Sequence, residues 1–196
     1  MAKSTSGKNK GSSYEREICT LLSRWWTGGK RDDIFWRSSA SGGRATVRGK
    51  TGRRTAHQGG DVACTDPDGA VLTDLFAIEI KRGYSSSTIH DLLDRGPKSA
   101  MPEFEKWIQQ ARRSSEMMGA YSWLLITRRD RRLPMIWMDN EIVTAAEHNH
   151  AYIRQRPHME CTWYLDGFPV TIFGMRLSDF LDLVDRKVIE AMAKEF

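Results

Sequence analysis

The stretch Phe76-Ala77-Ile78-Glu79-Ile80-Lys81-Arg82 alternates between apolar and charged residues, a pattern typical of a β-strand. Successive side chains of a strand point to opposite faces, so Ile78 and Ile80 share one face while Glu79 and Lys81 share the other. A carboxylate and an ammonium group are thus predicted side by side on a core strand. Such a pair is also common on exposed strands, where it is simply solvated, so the interpretation depends on the surrounding sequence.

Upstream, Gly59-Gly60-Asp61-Val62-Ala63 predicts a second strand, and Asp68-Gly69 predicts the turn of a hairpin that joins the two. If Asp61 ends the partner strand, its carboxylate converges with Glu79 and Lys81. Two carboxylates offer the oxygen ligands that divalent metal ions prefer, and a lysine can orient a water molecule beside a phosphate. The trio suits metal-assisted phosphodiester hydrolysis, although an Asp beside glycines is also common in plain turns.

A third carboxylate lies near the start of the chain, where Ser12 to Trp25 has the apolar spacing of an amphipathic helix. Glu15 falls on the apolar stripe of this helix, where an unpaired carboxylate would be costly. Ser12 and Glu15 also have the spacing of a capping box, with Ser12 as N-cap. A capping role and a catalytic role for Glu15 are compatible, and both remain open at this level.

The segment Trp36-Arg37-Ser38-Ser39-Ala40-Ser41-Gly42-Gly43 follows a short apolar run that begins at Ile34. Small residues let a backbone approach a phosphate closely, and Ser and Arg supply hydrogen-bond donors. This composition fits a phosphate-contacting loop and equally fits a flexible loop without function.

Taken together, Gly11 to Arg16, Arg37 to Gly42, Asp61 to Ala63 and Ile78 to Lys81 resemble, in this order, the motifs of the archaeal-type Holliday junction resolvases. These enzymes belong to the PD-(D/E)xK nuclease superfamily, and the resemblance covers roughly residues 11 to 127. It implies an α/β fold of the restriction-endonuclease-like type, with a central mixed β-sheet flanked by helices. It also implies a two-fold homodimer that nicks symmetric strands of a four-way junction.

The resemblance assigns roles to matching positions. Asp61 and Glu79 correspond to metal ligands, with the backbone carbonyl of Ile80 as a third and Glu15 completing the site directly or through water. Lys81 corresponds to the residue that positions the attacking water and the scissile phosphate. Ser41 corresponds to the loop serine near the cleaved strand. The implied cofactor is Mg²⁺, with Mn²⁺ as a substitute.

Two departures from the resolvase pattern concern the residue before Asp61, which is Gly60 and not Pro, and the long basic stretch from Ser41 to Asp61.

Charge is distributed unevenly along the chain: residues 1 to 60 carry 13 Lys and Arg against 4 Asp and Glu, whereas the remainder carries 17 against 21. A basic N-terminal third predicts salt-dependent binding to a phosphate backbone. The predicted nucleic-acid contacts are Arg16, Arg37, Arg44, Arg48, Lys50, Arg53, Arg54 and Arg82.

The 196 residues suit one domain with an adequate core. We expect a disordered basic tail over residues 1 to 11 and a single nuclease domain over 12 to 196, with its core at about 12 to 138 and a C-terminal elaboration at about 139 to 196. Three scattered cysteines and the lack of an apolar signal or membrane segment predict a soluble cytoplasmic protein. The compact basic chain is compatible with phage origin.

The sequence therefore predicts a Mg²⁺-dependent DNA endonuclease that resolves four-way junctions as a homodimer. Three alternatives remain open. One is another PD-(D/E)xK endonuclease, of restriction or repair type, another is a DNA-binding module on a nuclease fold, and the third is an RNA-directed nuclease.

Overall fold

A five-stranded mixed sheet forms the centre of the molecule. The computed structural model describes residues 5–38, 60–84, 86–94, 96, 98–165 and 167–196, and of residues 5–10 only the backbone. The strands of this sheet are β3 Phe76–Arg82, β4 Ser122–Arg128, β5 Met135–Asp139, β6 His158–Leu165 and β7 Phe168–Arg176. Their order is β3-β4-β5-β7-β6, with β3 and β4 parallel and the other neighbours antiparallel. Helices cover both faces, which confirms the predicted fold class.

The N-terminal part of the chain packs against the free edge of β3. Helix α1 spans Thr5–Trp26, and a two-stranded antiparallel ribbon follows it, made of β1 (Phe35–Arg37) and β2 (Val62–Cys64). A 3₁₀ turn at Pro67–Gly69 and the short helix α2 (Ala70–Leu75) then lead into β3. The predicted hairpin between Asp61 and Glu79 is therefore wrong, because a helix separates β2 from β3.

The parallel pair β3 and β4 is joined by helix α3, Glu103–Met118, which crosses over one face of the sheet. A strand parallel to β3 must start at the same end of the sheet as β3, so α3 carries the chain back along the sheet before β4 begins. The first turns of α3 therefore lie near the C-terminal ends of β3 and β4. The residue after helix α3 is Gly119, which has φ 72° and forms the C-cap. A 3₁₀ helix at Ile89–Leu92 lies in the connection ahead of α3.

Alternate side chains of the strands pack into two separate cores. On one face, Ile78, Ile80, Leu124 and Ile126 pack against α1, α2 and the C-terminal helices. We call this the α1 face. On the other face, which we call the α3 face, Leu125, Trp137 and their neighbours pack against α3. The C-terminal helices are α4 (Asn140–His148), α5 (Leu177–Leu183) and α6 (Arg186–Met192).

Two expectations about helix ends are corrected by the structure. Helix α1 already begins at Thr5, so residues 5 to 11 are helical and Ser12 lies inside the helix, where it cannot act as N-cap. The apolar spacing of Phe180, Leu181, Val184 and Val188 predicts one final helix capped by Ser178. The structure divides this helix at Val184, where the backbone becomes extended, and Asp185 caps α6. Of the helices in the described part of the chain, none has the length and hydropathy needed to cross a lipid bilayer.

Candidate active site

Asp61 lies against the open edge of β3 and is held there by three hydrogen bonds. Its backbone N–H donates to the Ile78 carbonyl at 2.8 Å, and the Ser38 N–H donates to the Asp61 carbonyl at 2.9 Å. Its Oδ2 accepts the backbone N–H of Ile80 at 2.8 Å. Because the N–H and C=O of one strand residue point to the same edge, the Ile80 carbonyl faces the same side as the Asp61 carboxylate. The backbone thus orients the side chain.

Gly60 explains how the chain approaches β3 so closely. Its φ is +73°, and a Cβ atom at this position would lie 2.7 Å from the carbonyl oxygen of Ile78. Proline, which the superfamily pattern places before the first aspartate, has φ near −65° and cannot adopt this conformation. The departure in sequence therefore has a structural reason, namely a left-handed turn pressed against a strand.

Glu79 and Lys81 point to the α3 face, as the alternation of β3 predicts. Lys81 Nζ lies 3.2 Å from Glu79 Oε2 and 4.0 Å from Asp61 Oδ2. Glu79 is 2 % exposed and Asp61 is 7 % exposed. The structure therefore brings the three side chains together at one buried point. They meet even though the predicted hairpin is absent, because the ribbon β1–β2 carries Asp61 to the edge of β3.

Two residues of α3 complete the surroundings of Glu79. Gln110 Nε2 donates to Glu79 Oε2 at 2.7 Å, and Ser114 Oγ donates to Glu79 Oε1 at 2.8 Å. The sequence leaves Ser114 unassigned, and it allows Gln109 or Gln110 to approach the site from this helix while favouring a solvated side chain. A signal was present, because positions 110 and 114 are one helical turn apart and share a face that a crossover helix would turn toward β3.

The buried charges shift the protonation of the site. Burial, together with the charge of Glu79, raises the pKa of Asp61 to about 7. Burial by itself would lower the pKa of Lys81, but the carboxylates of Glu79 and Asp61 outweigh it, and the pKa of Lys81 lies above its ordinary value. Lys81 is therefore a cation at neutral pH. The Asp61 carboxylate, by contrast, is costly to ionise unless another positive charge binds beside it.

Glu15 lies on α1 beside this group, where its carboxylate forms an ion pair with the guanidinium of Arg37. It adds to the charge that raises the pKa of Asp61, so it is within electrostatic range of the trio. Among the described residues, however, no three His, Cys, Asp or Glu side chains are close enough to hold a metal ion by themselves. The part of Glu15 in metal binding stays a prediction.

The predicted nucleic-acid contacts are distributed unequally. Arg16 is exposed on α1, and Arg82 is half-buried with its guanidinium 5.3 Å from the centre of the Tyr14 ring. Arg37 pairs with Glu15, as described above. The predicted loop serine and the basic stretch lie outside the described residues, and these are Ser41, Arg44, Arg48, Lys50, Arg53 and Arg54.

The donor set fits a hard divalent cation. Asp61 and Glu79 supply carboxylate oxygens, and the Ile80 carbonyl supplies a neutral oxygen at the same edge. Oxygen ligands of this kind suit Mg²⁺ and Mn²⁺, and they leave coordination positions for water and phosphate. The raised pKa of Asp61 agrees with this assignment, because a bound cation would relieve the repulsion between the carboxylates.

A family model described as "Phage putative PDDEXK endonuclease" matches residues 6–190, nearly the whole chain. The chain belongs to this family. The match agrees with the mixed sheet and with the clustered Asp61, Glu79 and Lys81, and it makes the protein a nuclease of the PD-(D/E)xK superfamily. It supports the superfamily and does not single out the archaeal-type junction resolvases. No curated protein and no solved structure matches the chain significantly.

Proposed function

We propose that this phage-type PDDEXK nuclease is a metal-dependent DNA endonuclease whose catalytic residues are Asp61, Glu79 and Lys81. The observation that carries the proposal is the contact of these three buried groups on the edge and the α3 face of β3. Asp61, Glu79 and the Ile80 carbonyl would hold Mg²⁺, or Mn²⁺ in its place. The bound ion would polarise the scissile phosphate and make an attacking water more acidic.

Lys81 acts as a hydrogen-bond donor in this scheme. Its pKa is raised, so its ammonium group keeps its proton at neutral pH and is unsuited to act as a general base. It would instead orient the attacking water or neutralise the phosphate oxygens as their charge grows. Gln110 and Ser114 would keep the Glu79 carboxylate in one orientation, as groups behind a metal ligand commonly do.

We further propose a four-way DNA junction as the substrate and a homodimer as the active form. The support is the position of Glu15, which belongs to the resolvase resemblance, and of Arg37, which begins the segment that leads to Ser41 and Gly42. They pair with one another beside Asp61. Two cuts in symmetric strands need two sites related by a two-fold axis, which a homodimer supplies.

The test is cleavage of a mobile four-way junction in Mg²⁺, compared with a linear duplex of the same sequence, with both strands mapped. We expect paired cuts in the junction and little cutting of the duplex. Asp61→Asn should abolish cleavage while binding in Ca²⁺ remains close to that of the wild type. Asp182→Asn is the matched control, because Asp182 is an exposed aspartate on α5, outside the catalytic group and the basic loop.

Other results would select another function. Equal cleavage of junction and duplex would reject the resolvase proposal and favour an endonuclease of restriction or repair type. A wild-type protein that binds DNA but shows no cleavage in Mg²⁺ or Mn²⁺ would leave only the DNA-binding module. Sedimentation of the free protein and of its junction complex measures whether two copies assemble.

A further inference from the structure

A cavity of about 450 Å³ opens on the α3 face beside the catalytic group, at the C-terminal ends of β3 and β4. Lys81 forms part of its wall, so the cavity and the catalytic site share a side chain. The 3₁₀ helix at Ile89–Leu92, the first turns of α3 and the loop between β4 and β5 enclose it. Crevices at the carboxyl ends of parallel strands are frequent ligand sites in α/β proteins.

The floor of the cavity is aromatic and rigid. Phe104, Trp107 and Trp137 line it, and the rings of Phe104 and Trp137 meet edge to face at 4.9 Å. Trp137 is fixed further because its Nε1 donates to Thr127 Oγ1 at 2.9 Å. These rings are almost fully buried, so they form a fixed apolar floor against which one nucleobase can lie, with little dependence on the identity of the base.

The rim is strongly basic. Five arginines line the cavity, namely Arg128, Arg129, Arg131, Arg132 and Arg176, and the described lining residues include no Asp or Glu. Arg128 pairs with Glu17 on α1. Within the described part of the chain, the other four form no ion pair, and all four are exposed. Unpaired guanidinium groups around an apolar floor match a ligand that is anionic at one end and aromatic at the other.

We propose that this cavity binds one unpaired nucleotide of the DNA substrate, with its base on the aromatic floor and its phosphates on the arginine rim. The inference rests on the proposed nuclease function for its choice of DNA as partner. The volume lies within the range of about 300–1,000 Å³ usual for small-ligand sites. A base within duplex DNA is stacked and cannot enter, so only a nucleotide displaced from the helix fits.

The position of the cavity predicts which class of DNA the enzyme prefers. Lys81 belongs both to the cavity wall and to the catalytic group, so a nucleotide in the cavity would place its neighbouring phosphate near Asp61 and Glu79. The enzyme would then prefer DNA with an unpaired nucleotide next to the cut, as a bulge or at the crossing point of a branch. Recognition would come from the unpaired state and not from base sequence.

The test measures binding in EDTA, so that no cleavage is involved. One duplex carries 2-aminopurine as a single unpaired nucleotide, and its partner duplex pairs the same base with thymine. Wild-type protein should bind the first about tenfold more tightly, since burial of one base against an apolar floor contributes an affinity gain of about this order. Fluorescence of the unpaired 2-aminopurine should change as the base leaves its neighbours in the DNA and enters the cavity. Equal affinity, or fluorescence that does not change, would overturn the proposal.

Two variants assign the effect to the cavity. Ser87→Trp places a large side chain on a half-buried lining position and should remove the preference while leaving binding of the paired duplex unchanged. Its control is Ser99→Trp, at an exposed position outside the lining. Arg131→Ala combined with Arg132→Ala should weaken binding of the unpaired nucleotide more than Arg156→Ala combined with Lys187→Ala. A preference that survives both cavity variants would contradict the assignment.

Free deoxynucleoside monophosphate is the third probe. Binding of the free nucleotide more tightly than the bulged duplex would mean that the cavity holds a small molecule and would overturn the DNA proposal. Failure of the nuclease function is recognised separately, because a protein that prefers the unpaired nucleotide and never cuts DNA loses the proposed function and keeps the cavity assignment.

Discussion

The two faces of the central sheet differ in what they bury. On the α1 face, the strands contribute a largely apolar core that includes Ile78, Ile80 and Ile126. The α3 face mixes apolar residues with Glu79 and Thr127 in the same strands, and Lys81 borders it. One strand, β3, contributes to both faces with alternate residues, so the boundary between apolar core and chemical site runs through a single segment of chain.

The comparison shows how a buried carboxylate is tolerated. Glu79 accepts hydrogen bonds from Lys81, Gln110 and Ser114, so most of its acceptor capacity is satisfied within the protein. Among the described residues, Asp61 Oδ2 accepts the backbone N–H of Ile80 and has a longer contact with Lys81, and the pKa of Asp61 is raised to about 7. The α1 face contributes mainly apolar burial, while the α3 face buries the Glu79 carboxylate and carries an electrostatic cost that a metal ion would relieve.

Truncation on the α1 face should produce the largest loss of stability. Ile126→Ala removes a fully buried side chain and should lower the free energy of unfolding by about 2–5 kcal/mol. Cleavage per folded molecule should be preserved, because Ile126 points away from Glu79. Denaturant unfolding and a cleavage rate at low temperature measure the two effects. A folded variant that loses activity would break the division between the faces.

Gly60→Ala should disturb the joint between the ribbon and the sheet. The new Cβ would meet the Ile78 carbonyl, and the positive φ adds strain, so we expect a loss of about 2 kcal/mol. Gly119→Ala is the matched control, since Gly119 has almost the same φ, +72°, and a Cβ atom added there would meet nothing within 4 Å. The control should lose about 1 kcal/mol and keep its activity. Equal losses would show that the close approach at Gly60 is unimportant.

The metal-free protein should become less stable as the pH rises from about 4 to 7. Asp61 has a higher pKa in the folded state than its ordinary value of 3.8, so the folded protein binds more protons in this interval. Protonated Asp61 therefore contributes to the free energy of unfolding at acid pH, and this contribution is lost as the pH passes through 7. Its magnitude is on the order of 2 kcal/mol.

Thermal unfolding in EDTA at pH 5 and pH 8 measures this difference, with Asp61→Asn as the comparison. The variant has no carboxylate to ionise and should show a smaller decrease between the two pH values. If the stability of both proteins decreases by the same amount, Asp61 is not the group responsible, and the electrostatic contrast between the two faces is weaker than proposed.

Ser114→Ala should have the smallest effect and should act on the α3 face alone. Removal of the hydroxyl leaves Glu79 Oε1 without this donor, and the Mg²⁺ concentration needed for half-maximal cleavage should rise about tenfold. Ser115→Ala is the control, because Ser115 Oγ donates to the Arg112 carbonyl within the helix and does not reach Glu79. A similar change in both variants would assign the effect to the helix and not to the carboxylate.

Much of the site was predictable because it depends on local patterns. The alternation within Phe76–Arg82 correctly assigns Glu79 and Lys81 to one face, since the two-residue period of a strand is a local property. The apolar runs Tyr121–Thr127 and Leu133–Met138 likewise predict strands, and Pro102 predicts the first turn of a helix; the structure has β4, β5 and α3 at these places. The hairpin prediction was wrong because turn residues at Asp68-Gly69 occur equally well in the 3₁₀ turn that precedes α2.

The pairing of Glu79 with Lys81 and the mixed acidic and basic character of the site follow from the order of residues alone, and the class of fold follows from the family resemblance of the motifs. Periodicity and residue chemistry are local, so a single chain displays them directly. Folding in three dimensions was needed to bring Asp61 to β3 through a separate ribbon, to set Gln110 and Ser114 against Glu79, and to surround an aromatic cavity with five arginines. These contacts join segments far apart in the chain, and their geometry follows from how helices and strands pack.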